Sequence, residues 1–100
     1  MEETYNFGWA IEQLKAGAHV ARLGWNGKGM YLWLLPAANV PADWCKEPHL
    51  KQLAESNPDG SKTMRCLASI RMKTADGSVL TGWLASQSDM MAEDWVFVPA

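Results

Sequence analysis

The hydrophobic positions change period along the first third of the chain. Phe7, Ala10, Ile11 and Leu14 recur at i, i+3, i+4 and i+7, which puts them on one stripe of a helix over residues 6–17. Asn6 can accept a backbone N–H at the start of that helix. Gly17 stands where a left-handed C-terminal cap favours glycine. Trp9 borders the stripe. His19–Leu23 and Met30–Leu35 then read as two strands. The second is apolar throughout except for the Tyr31 hydroxyl and the Trp33 indole nitrogen. A strand apolar on both faces is covered on both, by its own domain or by a second subunit. Between the two lies Gly24-Trp25-Asn26-Gly27-Lys28-Gly29, whose Asn-Gly pair is a hairpin signal because both residues tolerate positive φ.

Residues 36–63 lose this periodicity. Pro36, Pro41, Pro48 and Pro58 punctuate them, and Asn57-Pro58-Asp59-Gly60 reads as a turn. A short helix fits between Lys46 and Ser56, with His49, Leu50 and Leu53 as its apolar edge. The stretch has too few apolar anchors to close a core, so it is expected as an excursion between strands within one domain spanning residues 1–100. Alternation returns at 65–73, with Cys66, Ala68, Ile70 and Met72 on one face, Arg65, Ser69, Arg71 and Lys73 on the other, and Leu67 out of phase. Ala75-Asp76-Gly77 turns the chain into a strand at Ser78–Thr81. Residues 86–91 can form one or two helical turns capped by Ser86 or Ser88, and Trp95–Val98 is a last apolar strand. The expected fold is α+β: an N-terminal helix on a mainly antiparallel sheet of about five short strands, with a short helix before the last.

Composition narrows the function. The chain has 100 residues, a formal charge of −2 and six tryptophans. A slightly acidic chain lacks the broad basic face that duplex nucleic acid requires. No apolar run reaches the ~20 residues of a membrane span. The acidic, polar start does not read as a signal peptide. Cys45 and Cys66 are expected as reduced, partly buried thiols of a cytoplasmic protein.

Catalytic chemistry is poorly supplied. His19 and His49 are 30 positions apart, and neither a metal-ligand spacing nor a phosphate-loop signature occurs. Asp89, Glu93 and Asp94 could be paired carboxylates or could simply solvate a helix end. No enzyme and no cofactor is expected.

Binding is better supplied. Tryptophan faces suit stacking on nucleobases, at roughly 1–3 kcal/mol per base, though each indole could equally be core or interface. The 24–29 turn lets a ligand approach its backbone, with Trp25 surplus to the needs of turning. Arg71 and Lys73 share a strand face that could meet phosphate or only solvent. Trp83 precedes Ser86, Gln87 and Asp89 at what reads as a helix N-terminus, an anion or amide site or a plain cap.

Several blocks carry a resemblance. They are Asn6-Phe7-Gly8-Trp9-Ala10 with Leu14-Lys15-Ala16-Gly17, Val20-Ala21-Arg22 with Gly24 to Met30, Met72 to Gly77, Trp83 to Asp89, and Ala92-Glu93-Asp94-Trp95. In this order, over about two thirds of the chain, they resemble the Thoeris anti-defence 2-like family, small proteins of phages and prophages. The resemblance implies a homo-oligomer, dimer or tetramer, that sequesters a cyclic ADP-ribose-type immune messenger without degrading it, in pockets where subunits meet. Some relatives hold cyclic oligonucleotides at a separate site, so a sponge for cyclic di- or trinucleotides is one alternative, and a structural or interaction module of phage origin is another. It implies Phe7 and Trp25 as stacking or pocket-wall groups, Asn26 and Gly27 as polar and backbone contacts, and Arg22 and Lys73 toward phosphate. Trp83, Ser86, Gln87 and Asp89 would meet ribose or base. The departure from the family lies at 36–63, which could line, cover or block a pocket.

Overall fold

A computed structural model describes residues 3–25 and 29–99. The Asn26–Gly27 hairpin signal lies outside the described residues. The chain divides into two compact units, residues 1–35 with 69–100, and residues 36–68.

Among the described residues, the first unit is an antiparallel five-stranded sheet with two helices. Helix α1 spans Phe7–Lys15, strand β1 His19–Arg22 and β2 Tyr31–Leu35. The expected stripe is what α1 buries: Ala10 and Leu14 are fully covered, and Phe7 and Ile11 pack beside them. The Asn6 side chain accepts from Trp9 N at 2.9 Å, and Gly17 adopts φ 92° directly after the helix. Both caps satisfy groups that a helix end leaves without partners.

In the second unit, β3 (Ala38–Pro41) pairs antiparallel with β4 (Thr63–Cys66), and a 3-10 turn and helix α2 (Pro48–Glu55) lie between them in the chain. The sequence pattern gave no sign of β3. It also read 65–73 as one alternating strand. The chain instead ends β4 at Cys66 and starts β5 at Ser69, in the other sheet (Ser69–Lys73). Leu67, out of phase in the pattern, sits at this break and is exposed. Cys45 and Cys66 are unpaired and half-buried.

The chain returns to the first sheet with β6 (Val79–Thr81), α3 (Gln87–Met91) and β7 (Trp95–Val98). Strand order is β6-β5-β2-β1-β7, so the last strand lies beside the first. The register sets Leu80, Met72 and Leu32 side by side, then Val20 and Phe97. Val20, Leu32 and Met72 of this row, with Trp95, form the core under α1, while Leu80 and Phe97 at its two ends are exposed. The opposite face carries Tyr31 beside Lys73 and Trp33 beside Arg71. Strand β2, apolar on both faces, is therefore fully covered at Leu32 on the α1 side and half-buried at Tyr31 and Trp33 on the other. Among the described residues no helix is long and apolar enough to cross a membrane.

Candidate functional site

Three indoles meet at one end of the α1 face. Trp25 follows β1, Trp83 follows β6, and Trp95 opens β7. Gly82, at φ 86°, turns the chain out of β6, and Gly82 N and Trp83 N both donate to Ile70 O. Trp25 lies edge-to-face on Trp95 at 5.5 Å and on Trp83 at 6.2 Å, and Trp83 on Trp95 at 6.4 Å. Edge-to-face contact sets the positive rim of one ring on the negative face of the next, worth about 0.5–1.5 kcal/mol per pair beyond burial. Trp95 is fully buried, whereas Trp25 and Trp83 are half-buried and present part of their surface outward. Phe7, in the first turn of α1, tilts against Trp95 at 5.3 Å and extends the aromatic wall.

Beside the indoles runs a charged network. Arg22, at the end of β1, donates from Nε to Asp94 Oδ1 at 2.9 Å and from Nη1 to Asp89 Oδ1 at 2.8 Å. Asp94 Oδ2 accepts from Gly24 N at 2.8 Å, and Asp89 Oδ1 lies 3.4 Å from Trp25 Nε1. Burial pushes both carboxyls up. For Asp89 this is outweighed by the Arg22 guanidinium, the Ser86 amide and hydroxyl and the Trp25 indole. For Asp94 it is outweighed by Arg22 and the Gly24 amide. Both therefore sit below the ordinary aspartate value. Arg22 is correspondingly raised, by Asp94 first and Asp89 second.

Helix α3 is short, and its N-terminus is occupied by its own side chains. Asp89 N donates to Ser86 Oγ and Ser86 N donates to Asp89 Oδ2, each at 3.1 Å. This capping box satisfies two end groups reciprocally and makes Ser86, of the two serines expected, the cap of α3. Trp95 Nε1 donates to Asp89 O at 3.0 Å and pins α3 to β7.

The expected site residues are thus only partly gathered. Phe7, Arg22, Trp25, Trp83, Ser86 and Asp89 converge, with Gln87 exposed in the first position of α3. Asn26 and Gly27 lie outside the described residues. Lys73 is on the opposite sheet face, its Nζ 5.8 Å from the Tyr31 ring centroid. Asp89 and Asp94, which the sequence offered as paired carboxylates or as a solvated helix end, both grip one guanidinium. Asp94, Trp95 and Gly24 adjoin this cluster and were not expected as binding residues, though Asp94 was considered as one of several paired carboxylates. Their partners lie about 70 positions away in the chain, beyond any local pattern. Among the described residues no group of His, Cys, Asp and Glu is placed to hold a metal ion.

Residues 5–98 match the model of the Thoeris anti-defense 2-like domain. The chain is also similar to a protein of Bacillus phage SP01, Thoeris anti-defense 2, at 33% identity covering 98% of this chain and 99% of that protein.

Proposed function

Because the chain belongs to the Thoeris anti-defense 2-like family, we propose that it is a phage or prophage anti-defence protein that sequesters a cyclic ADP-ribose-type messenger. It acts by binding and not by turnover, in the cytoplasm of the host bacterium. The observation that carries this reading is the Trp25–Trp83 pair, two half-buried indoles brought together from distant segments and backed by a third. Indole faces stack on an adenine-type base. Ser86 and Gln87 lie alongside, with polar groups suited to ribose hydroxyls.

A homo-oligomer, dimer or tetramer, completes the pocket in this proposal. Leu84 is 89% exposed and Met91 77%, both adjoining the indole site in sequence, and burying such side chains favours a second copy. The experiment is native mass spectrometry and calorimetry against a panel of cyclic nucleotides. Ligand should bind at or below micromolar concentration and be recovered chemically intact after heat denaturation. Recovery of a cleaved product would overturn the reading in favour of an enzyme.

Trp25→Ala is expected to abolish binding while the oligomer persists. Dissociation on that substitution would instead make Trp25 a structural interface residue.

One observation favours a second reading, a sponge for cyclic di- or trinucleotides. The sheet face opposite α1 sets His19 parallel on Tyr31 at 5.0 Å, with Trp33, Lys73 and Arg71 adjacent. Arg71 Nε is buried there with no hydrogen-bond partner among the described residues. Aromatic rings interleaved with cations suit an anionic nucleotide. Competition binding separates the two: Lys73→Ala should weaken only the cyclic oligonucleotide.

A further inference from the structure

The geometry points to Arg22 as a positioning residue, which sets ligand affinity by holding Trp25 in place and makes no contact with the ligand itself. The inference rests on the messenger-binding reading of the indole site. Arg22 was a natural candidate for phosphate, and its surroundings argue against that role. Two of its donors are committed, Nε to Asp94 and Nη1 to Asp89. Two carboxylates around one guanidinium leave this cluster with a negative surplus, so an approaching phosphate meets repulsion. Both aspartates are held below their ordinary pKa and stay ionised at neutral pH.

What the network does instead is tie three segments together. Asp94 precedes β7 and grips the backbone just after β1 through Gly24 N. Asp89 belongs to α3 and lies within hydrogen-bond reach of the Trp25 indole N–H. Arg22, from β1, bridges the two carboxylates, and its own carbonyl accepts from Trp25 N at 3.3 Å. The planar guanidinium fork fixes direction as well as distance, which a lysine ammonium does not. Gly24 is part of the device. A Cβ there would sit 2.8 Å from Asp94 Oδ2 and 3.5 Å from Arg22 Nη2, inside the space the carboxylate needs. The Asp94 oxygen cannot easily give way, because the same carboxylate is held by Arg22. The indole face is thereby oriented before ligand arrives, and preorganisation of this kind raises affinity by reducing what must be ordered on binding.

The test is a double-mutant cycle on the full-length protein, read by calorimetry with the cyclic nucleotide that the wild type binds. Arg22→Gln should weaken binding by about tenfold, the scale of one charge-assisted hydrogen bond. Gly24→Ala, which disturbs the clamp from an exposed position, should weaken it in the same direction and keeps the test usable if Arg22→Gln fails to fold. In a Trp25→Phe background, which keeps a stacking ring but lacks the indole N–H that meets Asp89, adding either change should have no further effect within about twofold. Additive losses in that background would overturn the inference and put Arg22 on the ligand.

A ligand-free readout separates this inference from the reading it rests on. The Trp25 indole N–H resonance should shift and exchange faster with solvent in both single variants. An unchanged resonance overturns the clamp even where nucleotide binds. A shifted, fast-exchanging resonance in a protein that binds no cyclic nucleotide supports the clamp and overturns the messenger reading.

Discussion

Asp94 shows how one carboxylate can organise a site. Its two oxygens accept from Arg22 Nε and from Gly24 N, so a side chain and a backbone turn are held by a single group. Asp94→Asn keeps the volume and loses the ion pair. It should lower stability by roughly 1–2 kcal/mol in urea denaturation, the scale of a charge-assisted bond in a partly exposed setting. The pH dependence follows from the same contacts. Folded Asp89 and Asp94 titrate below the ordinary value of 3.8. As pH falls, the unfolded chain therefore takes up those protons first. The stabilisation is complete above that ordinary value and is lost as pH drops through the lower folded values. Melting temperature followed from pH 7 to pH 2.5 should decline at the acid end, and less steeply in Asp94→Asn than in the wild type. A third aspartate, Asp76, is held at about 2 by the Ser78 and Thr74 hydroxyls and the Ser78 amide in an exposed turn.

The helices differ in what maintains them. Helix α1 has an amphipathic stripe and both caps, and its pattern could be read directly from the sequence. Leu14→Ala should cost about 2–5 kcal/mol, because a fully buried leucine leaves a cavity under the helix. Asn6→Ala should cost about 1 kcal/mol through loss of its cap. Urea titration of the two variants resolves that difference. Helix α3 is too short to persist alone and buries no residue. Its capping box, the Arg22 ion pair and the bond from Trp95 Nε1 hold it in place. Ser86→Ala should speed hydrogen exchange at the α3 amides while α1 stays protected. The sequence offered Ser86 or Ser88 as the cap, but the duty of Asp89 in gripping Arg22 was not legible. A cap is a contact over three residues, whereas the Arg22–Asp89 pair spans 67.

The two compact units meet the chain at a convenient point. Leu35 and Ser69, which flank residues 36–68, are register partners on adjacent antiparallel strands. Replacing 36–68 with a two-residue Asn-Gly turn would convert β2 and β5 into an ordinary hairpin. The shortened chain should fold with a single cooperative transition, since the core of Ala10, Leu14, Val20, Leu32, Met72 and Trp95 lies entirely outside the excised segment. Thermal denaturation monitored by near-ultraviolet circular dichroism would check both the transition and the indole cluster. Loss of folding would show that residues 36–68 are required by the first unit.

Local periodicity was enough for α1, the two-sided apolar strand β2, the turn at Asp76–Gly77, a serine cap at Ser86 or Ser88 and the α+β class, because each depends on neighbours within one or two turns of backbone. The break at Leu67 escaped it, since the alternation resumes in the same phase after that one residue although the chain passes there from one sheet to another. The resemblance pointed Trp25 and Trp83 toward a ligand, but no local pattern set Trp95 against them. Pairing β7 with β1 buries Trp95 beneath Trp25 and Trp83, and this same pairing brings Asp94 to Arg22. Residue types and short spacings fix local conformation through nearby hydrogen bonds and burial patterns. Which side chains become neighbours across the sheet depends on strand order and register, and those are set by the packing of the assembled core.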